Sequence, residues 1–263
     1  MTPETAEALA TLMGFGQEVV LAGFVVFFRV GAAMALLPAF GEQLVPMRVR
    51  LALGIAFTLI VAPAMAPEAL QLASAPGGWV RALGTEAVAG LAIGIALRLF
   101  VIALQTGGTM AAQATSLAQF FGGAGVDPQP AISQLLVVAG LALAVMAGLH
   151  VRLAELLLLS YSFMPMGEFP PGWMLAEWGV AQVARAFALA FSLAAPFVIA
   201  ALIYNMALGA INRAMPQLMV AFVGAPALTL GGLILLLLVV PGALAVWLGA
   251  LGGFLADPTG MPR

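Results

Sequence analysis

The chain has 263 residues, of which 63% are hydrophobic and only 8% charged, and its formal net charge is −2. Soluble domains run at about 45–50% apolar and about 25% charged residues, so this composition excludes an ordinary water-soluble domain and points to an integral membrane protein; the weak negative charge argues against nucleic acid as a partner. There is no cysteine, which removes disulfides, thiolate metal sites and cysteine nucleophiles from consideration.

A helix that crosses the hydrocarbon core needs roughly 20 apolar residues. The N-terminal stretch MTPETAEALATLMGFGQE carries Glu4, Glu7 and Glu18 and no basic residue, so no cleaved signal peptide is expected. In chain order, the apolar runs are about 19–37, 49–65, 82–104, 131–149, 179–204 and 220–250. The second is short for a span. The last is long enough for one tilted span or two shorter helices, with Pro226 and Pro241 as bends. A weaker apolar stretch, ELLLLSYSF, occupies 155–163. Between these runs, PAFGEQLVPMR (38–48) reads as a short turn, PEALQLASAPGG (67–78) as a loop and QFFGGAGVDPQP (119–130) as the most flexible connection; PMGEFPPGW (165–173) is proline-rich and starts extended. The expectation is an all-α membrane protein with about six apolar segments, a single membrane-embedded unit over 1–263. All nine basic residues are arginine, and outside the 38–50 connection, where Arg48 and Arg50 face Glu42, no connection has more than one. The excess of basic residues that orients membrane helices is almost missing.

Several polar groups sit where apolar ones belong. Arg29 lies inside FVVFFRVGAAMALLP, Arg98 inside GLAIGIALRLFVIAL, and Arg185 opens an apolar helix. An arginine at mid-bilayer costs about 2.5–3.5 kcal/mol even on the lenient insertion scale. Arg185 suits snorkelling to headgroups; Arg29 and Arg98, deep in their segments, suit pairing between helices or subunits. Glu86 is a candidate partner for another helix, because it lies about 120° round the helix from Arg98 at 3.6 residues per turn. His150, the single histidine, has no companions for a metal site and is grouped with these charges as a hydrogen-bonded interface residue. Gly90 with Gly94 and Gly249 with Gly253 form GxxxG faces suited to close helix contact. No metal, cofactor or catalytic set is expected: there is neither HExxH nor GxSxG, and the chain has two aspartates.

The stretch INRAMPQLMVAFVGAP (211–226) places four polar or helix-breaking residues between two very apolar runs. Asn205, Gly209 and Asn212, spaced by four and three, share one helix face. Pro216 cannot continue the ladder, so the helix should break near Ala214–Met215. Freed carbonyls need partners, and Asn212, Arg213 and Gln217 supply donors. The region about 205–226 is then either a capped turn between two spans or a junction that packs on another polypeptide or a water-filled path.

Here the residues carry a resemblance. ALGAINRAMPQLMVAFVGAPALTL (207–230), with Asn212, Arg213, Pro216, Gln217, Gly224 and Pro226, resembles the signature of the FliR family of flagellar export-gate proteins and their injectisome counterparts. Arg29 with Pro38, VPMRVRLAL (45–53) with Pro63, EAVAGLAIGIALRLF (86–100), Asp127-Pro128, and His150 followed by Pro165 agree in order, over about 20–245. The resemblance implies bent helical hairpins within a hetero-oligomeric helical cone built with FliP and FliQ type subunits. An FlhB type subunit would stand at the entrance, and secreted unfolded polypeptides would pass through. It also implies the bacterial inner membrane, at the flagellar basal body. It points further to a loop acting as a channel plug, here about 118–129. Phe120 and Phe121 supply bulk and dewetting, Gly122, Gly123 and Gly125 supply backbone freedom, and Asp127-Pro128 ends the mobile part.

Other classes of protein make different demands. A homo-oligomeric solute transporter or channel explains the composition and broken helices, but calls for convergent ionisable groups at the midplane; the sparse charges here are mostly arginine. An intramembrane enzyme calls for a nucleophile–base pair or metal ligands, and neither pattern is present.

Overall fold

The computed structural model describes residues 3–42, 45–115, 131–215 and 220–260, and over these the chain is helical, without a strand. Seven helices follow one another: α1 (Pro3–Met34), α2 (Met47–Ser74), α3 (Gly78–Thr115), α4 (Ala131–Met146), α5 (Leu149–Phe163), α6 (Gly172–Ala214) and α7 (Val220–Ala256). Among the described residues five helices are long and apolar enough to cross a membrane, and α4 with α5, a pair broken between Met146 and Leu149, make a sixth candidate. An all-α membrane protein is therefore what the sequence folds into.

Some boundaries differ from those read off the sequence. The segment 67–78 was expected as a loop, but α2 runs through Pro63 and Pro67 to Ser74. The two prolines are four apart, so Pro67 forfeits the bond to the carbonyl of Pro63 and the disturbance stays on one side of the helix. Beyond them, EALQLAS is rich in good helix formers. Ala69 is buried there in a cluster with Ala22, Val25 and Ala82, against which Leu70, Leu72 and Ala73 pack. The second segment is thus 28 residues long and fully span-length. The helix of the run 131–149 stops at Met146, and α5 starts at Leu149 after Gly148, which sits at φ 82°. That left-handed conformation costs a residue with a Cβ about 1–2 kcal/mol. The final apolar run is one helix of 37 residues that contains Pro241.

The helices contribute to two compact units, Met1–Arg98 with Ala147–Ala181 and Gly253–Arg263, and Leu99–Met146 with Gln182–Gly252. In the first, α1 presents Ala22, Val25, Val26, Arg29, Val30 and Ala33 to the interior, a stripe of three- and four-residue steps along one face. Gly90 and Gly94 of α3 lie against it. A Cβ on Gly90 would collide with the Arg29 carbonyl, and one on Gly94 would stand 3.0 Å from the Ala33 carbonyl. The GxxxG face of α3 is therefore a close contact with α1, while at Gly249 and at Gly253 an added Cβ meets none of the described residues within 4 Å. In the second unit Trp247 is fully buried and donates its indole N–H to the Phe100 carbonyl at 2.9 Å. Gly140 leaves room for that ring and for Leu104, whose Cδ1 would lie 2.6 Å from an added Cβ.

Candidate functional site: an uncovered helix end and a buried charge cluster

α6 ends at Ala214, with the Met215 N–H closing a last bond of 2.8 Å to the Ile211 carbonyl. Over its last three turns most of the helix surface is exposed, with Tyr204 and Leu208 partly covered. Asn205, Gly209, Asn212 and Arg213 are exposed, and so are Leu202, Ile203, Met206 and Met215. Among the described residues none hydrogen-bonds or ion-pairs with the side chains of Asn205, Asn212 or Arg213, and nothing stands within 4 Å of a Cβ added to Gly209. Pro216 and Gln217 fall outside the described residues. Gly224 and Pro226 lie in the first turns of α7, where side-chain surroundings are not described. The plug-loop candidates Phe120, Phe121, Gly122, Gly123, Gly125, Asp127 and Pro128 are all outside the described residues.

The charges behave differently. Arg29 of α1 and Glu86 of α3 are 1% and 0% exposed, with Nε and Oε2 2.9 Å apart. That contact is one of charge, since the N–H does not point along it. The guanidinium spends its other nitrogens on α5 and the chain just beyond it. Nη1 donates to the Ser160 hydroxyl at 3.0 Å and Nη2 to the Met164 carbonyl at 2.8 Å. Its flat face stacks 3.7 Å over the ring of Tyr161, a cation–π geometry. Glu86 Oε1 accepts the backbone N–H of Gly167 at 3.0 Å, and Arg81, further up α3, donates Nε–H to the Gly167 carbonyl. Met164 also lines an apolar cavity of about 210 Å³, beside Phe163, Met174 and Trp178.

Arg98 pairs with Glu42 of the α1–α2 connection at 2.6 Å, both side chains partly exposed. His150 does not join the buried charges and stands exposed. The reason is phase: α5 buries Leu149, Leu153, Leu156, Leu157 and Ser160, and residue 150 is rotated about 100° from the first of these. Arg185 is exposed on α6. Sequence reasoning singled out Arg29, Glu86 and Arg98 but not Ser160, Tyr161, Gly167, Arg81 or Glu42 as members of these contacts. The separations of 56 to 135 positions explain it, since helical periodicity carries no information across such distances. Among the described residues no group of three His, Cys, Asp or Glu side chains converges as a metal site.

The family model described as Bacterial export proteins, family 1 matches residues 20–253. The chain belongs to this family. Its relatives include the flagellar biosynthetic protein FliR of Caulobacter vibrioides, 34% identical over 224 residues that cover 84% of this chain and 89% of that protein. The FliR proteins of Pectobacterium carotovorum and Escherichia coli are each 28% identical, over 82% and 77% of this chain and 82% and 78% of their own lengths. The resemblance carried by Asn212, Arg213 and the blocks before them is borne out over most of the chain. As a bacterial export protein of this family, the chain combines an internal charge cluster with a polar helix end whose side chains Asn205, Asn212 and Arg213 the described residues leave without a partner.

Proposed function

We propose that the chain is a core subunit of the flagellar type III protein export gate, in the bacterial inner membrane at the flagellar basal body. In this reading it joins FliP and FliQ type subunits to form the channel through which unfolded flagellar proteins leave, with an FlhB type subunit at the entrance. It has no enzymatic step of its own. The observation that carries the reading is the α6 end. Two carboxamides, a guanidinium and a small residue stand exposed amid Leu202, Ile203, Met206 and Met215. Lipid cannot satisfy such groups, whereas the side chains and helix ends of neighbouring subunits can. Family membership and the FliR relatives support the same conclusion. The sparse charge argues against a solute transporter, which concentrates ionisable groups at one midplane site.

Arg213→Ala is the direct test. Co-expressed with FliP and FliQ type partners, the wild-type chain is expected to purify with them and to restore secretion and swimming. The variant should accumulate to normal levels but lose most of its partners, about tenfold or more, as loss of one charge-assisted contact of about 1.5–3 kcal/mol implies. Normal co-purification and secretion by Arg213→Ala would reject the junction as a subunit contact.

A further inference from the structure

The chain between α5 and α6 leaves helical conformation at Met164 and regains it at Gly172. Non-helical backbone in a membrane protein must find its polar partners inside the protein. Three backbone groups of this connection do so through charged side chains from elsewhere. The Met164 carbonyl takes Arg29 Nη2 at 2.8 Å, the Gly167 N–H takes Glu86 Oε1 at 3.0 Å, and the Gly167 carbonyl takes Arg81 Nε. Each acceptor meets a cation and the donor meets an anion. Arg29 also reaches Ser160, whose carbonyl accepts the Met164 N–H at 2.8 Å, so the last turn of α5 is tied into the same set. From the remaining side comes Leu72 of α2. Gly167 is at φ 74°, and a Cβ there would stand 2.9 Å from Leu72 Cδ1.

We propose that Arg29, Glu86 and Arg81 are positioning residues that form a clip for the α5–α6 connection, and that this is why two charges are buried in the core of this unit. Stability alone is a poor explanation, because replacing a buried ion pair with well-packed apolar residues is often neutral or favourable. An apolar pair, however, offers nothing to the carbonyls of Met164 and Gly167 or to the Gly167 amide. The clip holds the connection against α1, α2 and α3 and fixes where α6 begins.

The test is backbone amide exchange of the full chain in lipid nanodiscs, read by mass spectrometry. Peptides covering 164–171 are compared with reference peptides from α4. Two variants remove the clip in different ways: the charge-free double variant Arg29→Met with Glu86→Met, and Arg81→Met at the exposed end of the set. In both, amides of 164–168 are expected to exchange at least about tenfold faster while α4 keeps its rates, because the opening is local. If the double variant also speeds exchange in α4, its fold is compromised and Arg81→Met decides. Unchanged exchange at 164–168 in Arg81→Met, or in a double variant with native α4, would overturn the clip.

Discussion

Arg29 and Arg98 are chemically identical residues in similar apolar runs, yet the structure gives them different energetics. The Arg29–Glu86 pair is 1% and 0% exposed, the Arg98–Glu42 pair 29% and 22%. Removing one member of a buried pair strands the other charge, at a cost of about 3–5 kcal/mol. A partly exposed pair is worth about 0–1 kcal/mol. Glu86→Gln is therefore expected to lower the thermal stability of the detergent-solubilised chain sharply, although its amide oxygen can still accept from Gly167. Glu42→Gln should lower the melting temperature by no more than about 4 °C, since about 1 kcal/mol shifts a domain of this size by only about 2–4 °C. Similar losses in the two variants would show that the crowding around Arg29 does not govern the pair.

At the level of the element, glycine decides which helix faces approach each other. Gly90 lies so close to α1 that a Cβ would strike the Arg29 carbonyl, whereas at Gly249 of α7 none of the described residues stands within 4 Å of an added Cβ. Overfilling a tight contact costs about 1–3 kcal/mol, and replacing glycine by alanine in an open helix gains about 0.5–1 kcal/mol. Gly90→Ala should therefore destabilise the isolated chain and Gly249→Ala should not, as thermal melts in detergent would register. A neutral Gly90→Ala would mean that α1 and α3 can separate without penalty. Both glycines belong to GxxxG patterns, so the pattern showed where contact is permitted but not which of the two the chain itself uses. The same holds for α2. Pro67 reads as the start of a loop, and the helix continues past it and buries Ala69.

For the molecule as a whole, the large exposed apolar side chains on α6 and α7, including Leu202, Ile203, Leu233, Leu237 and Leu238, are 59–76% exposed. An isolated soluble protein does not leave such surfaces bare; lipid or neighbouring subunits must cover them. A channel that passes a helical polypeptide must open to about 10–12 Å, and at rest it must hold back ions. The proposed plug, residues 118–129, would perform that function through the bulk of Phe120 and Phe121. Deleting 120–125 in the assembled gate is expected to raise resting ion conductance across a liposome membrane severalfold. An unchanged leak, with partners still bound, would reject the plug while leaving the gate reading intact.

The sequence by itself determined the membrane setting, the all-helical class, the approximate span positions, the break after Ala214 and the family, because each rests on local composition, 3.6-residue periodicity or a contiguous motif. It also marked Arg29 and Glu86 as charges in need of partners. Only the tertiary structure decided that they serve each other and the Met164–Gly167 connection, that His150 points away from them, and that α2 survives its prolines. Those outcomes depend on contacts between residues far apart in the chain, where packing and the demand for satisfied polar groups override local preference.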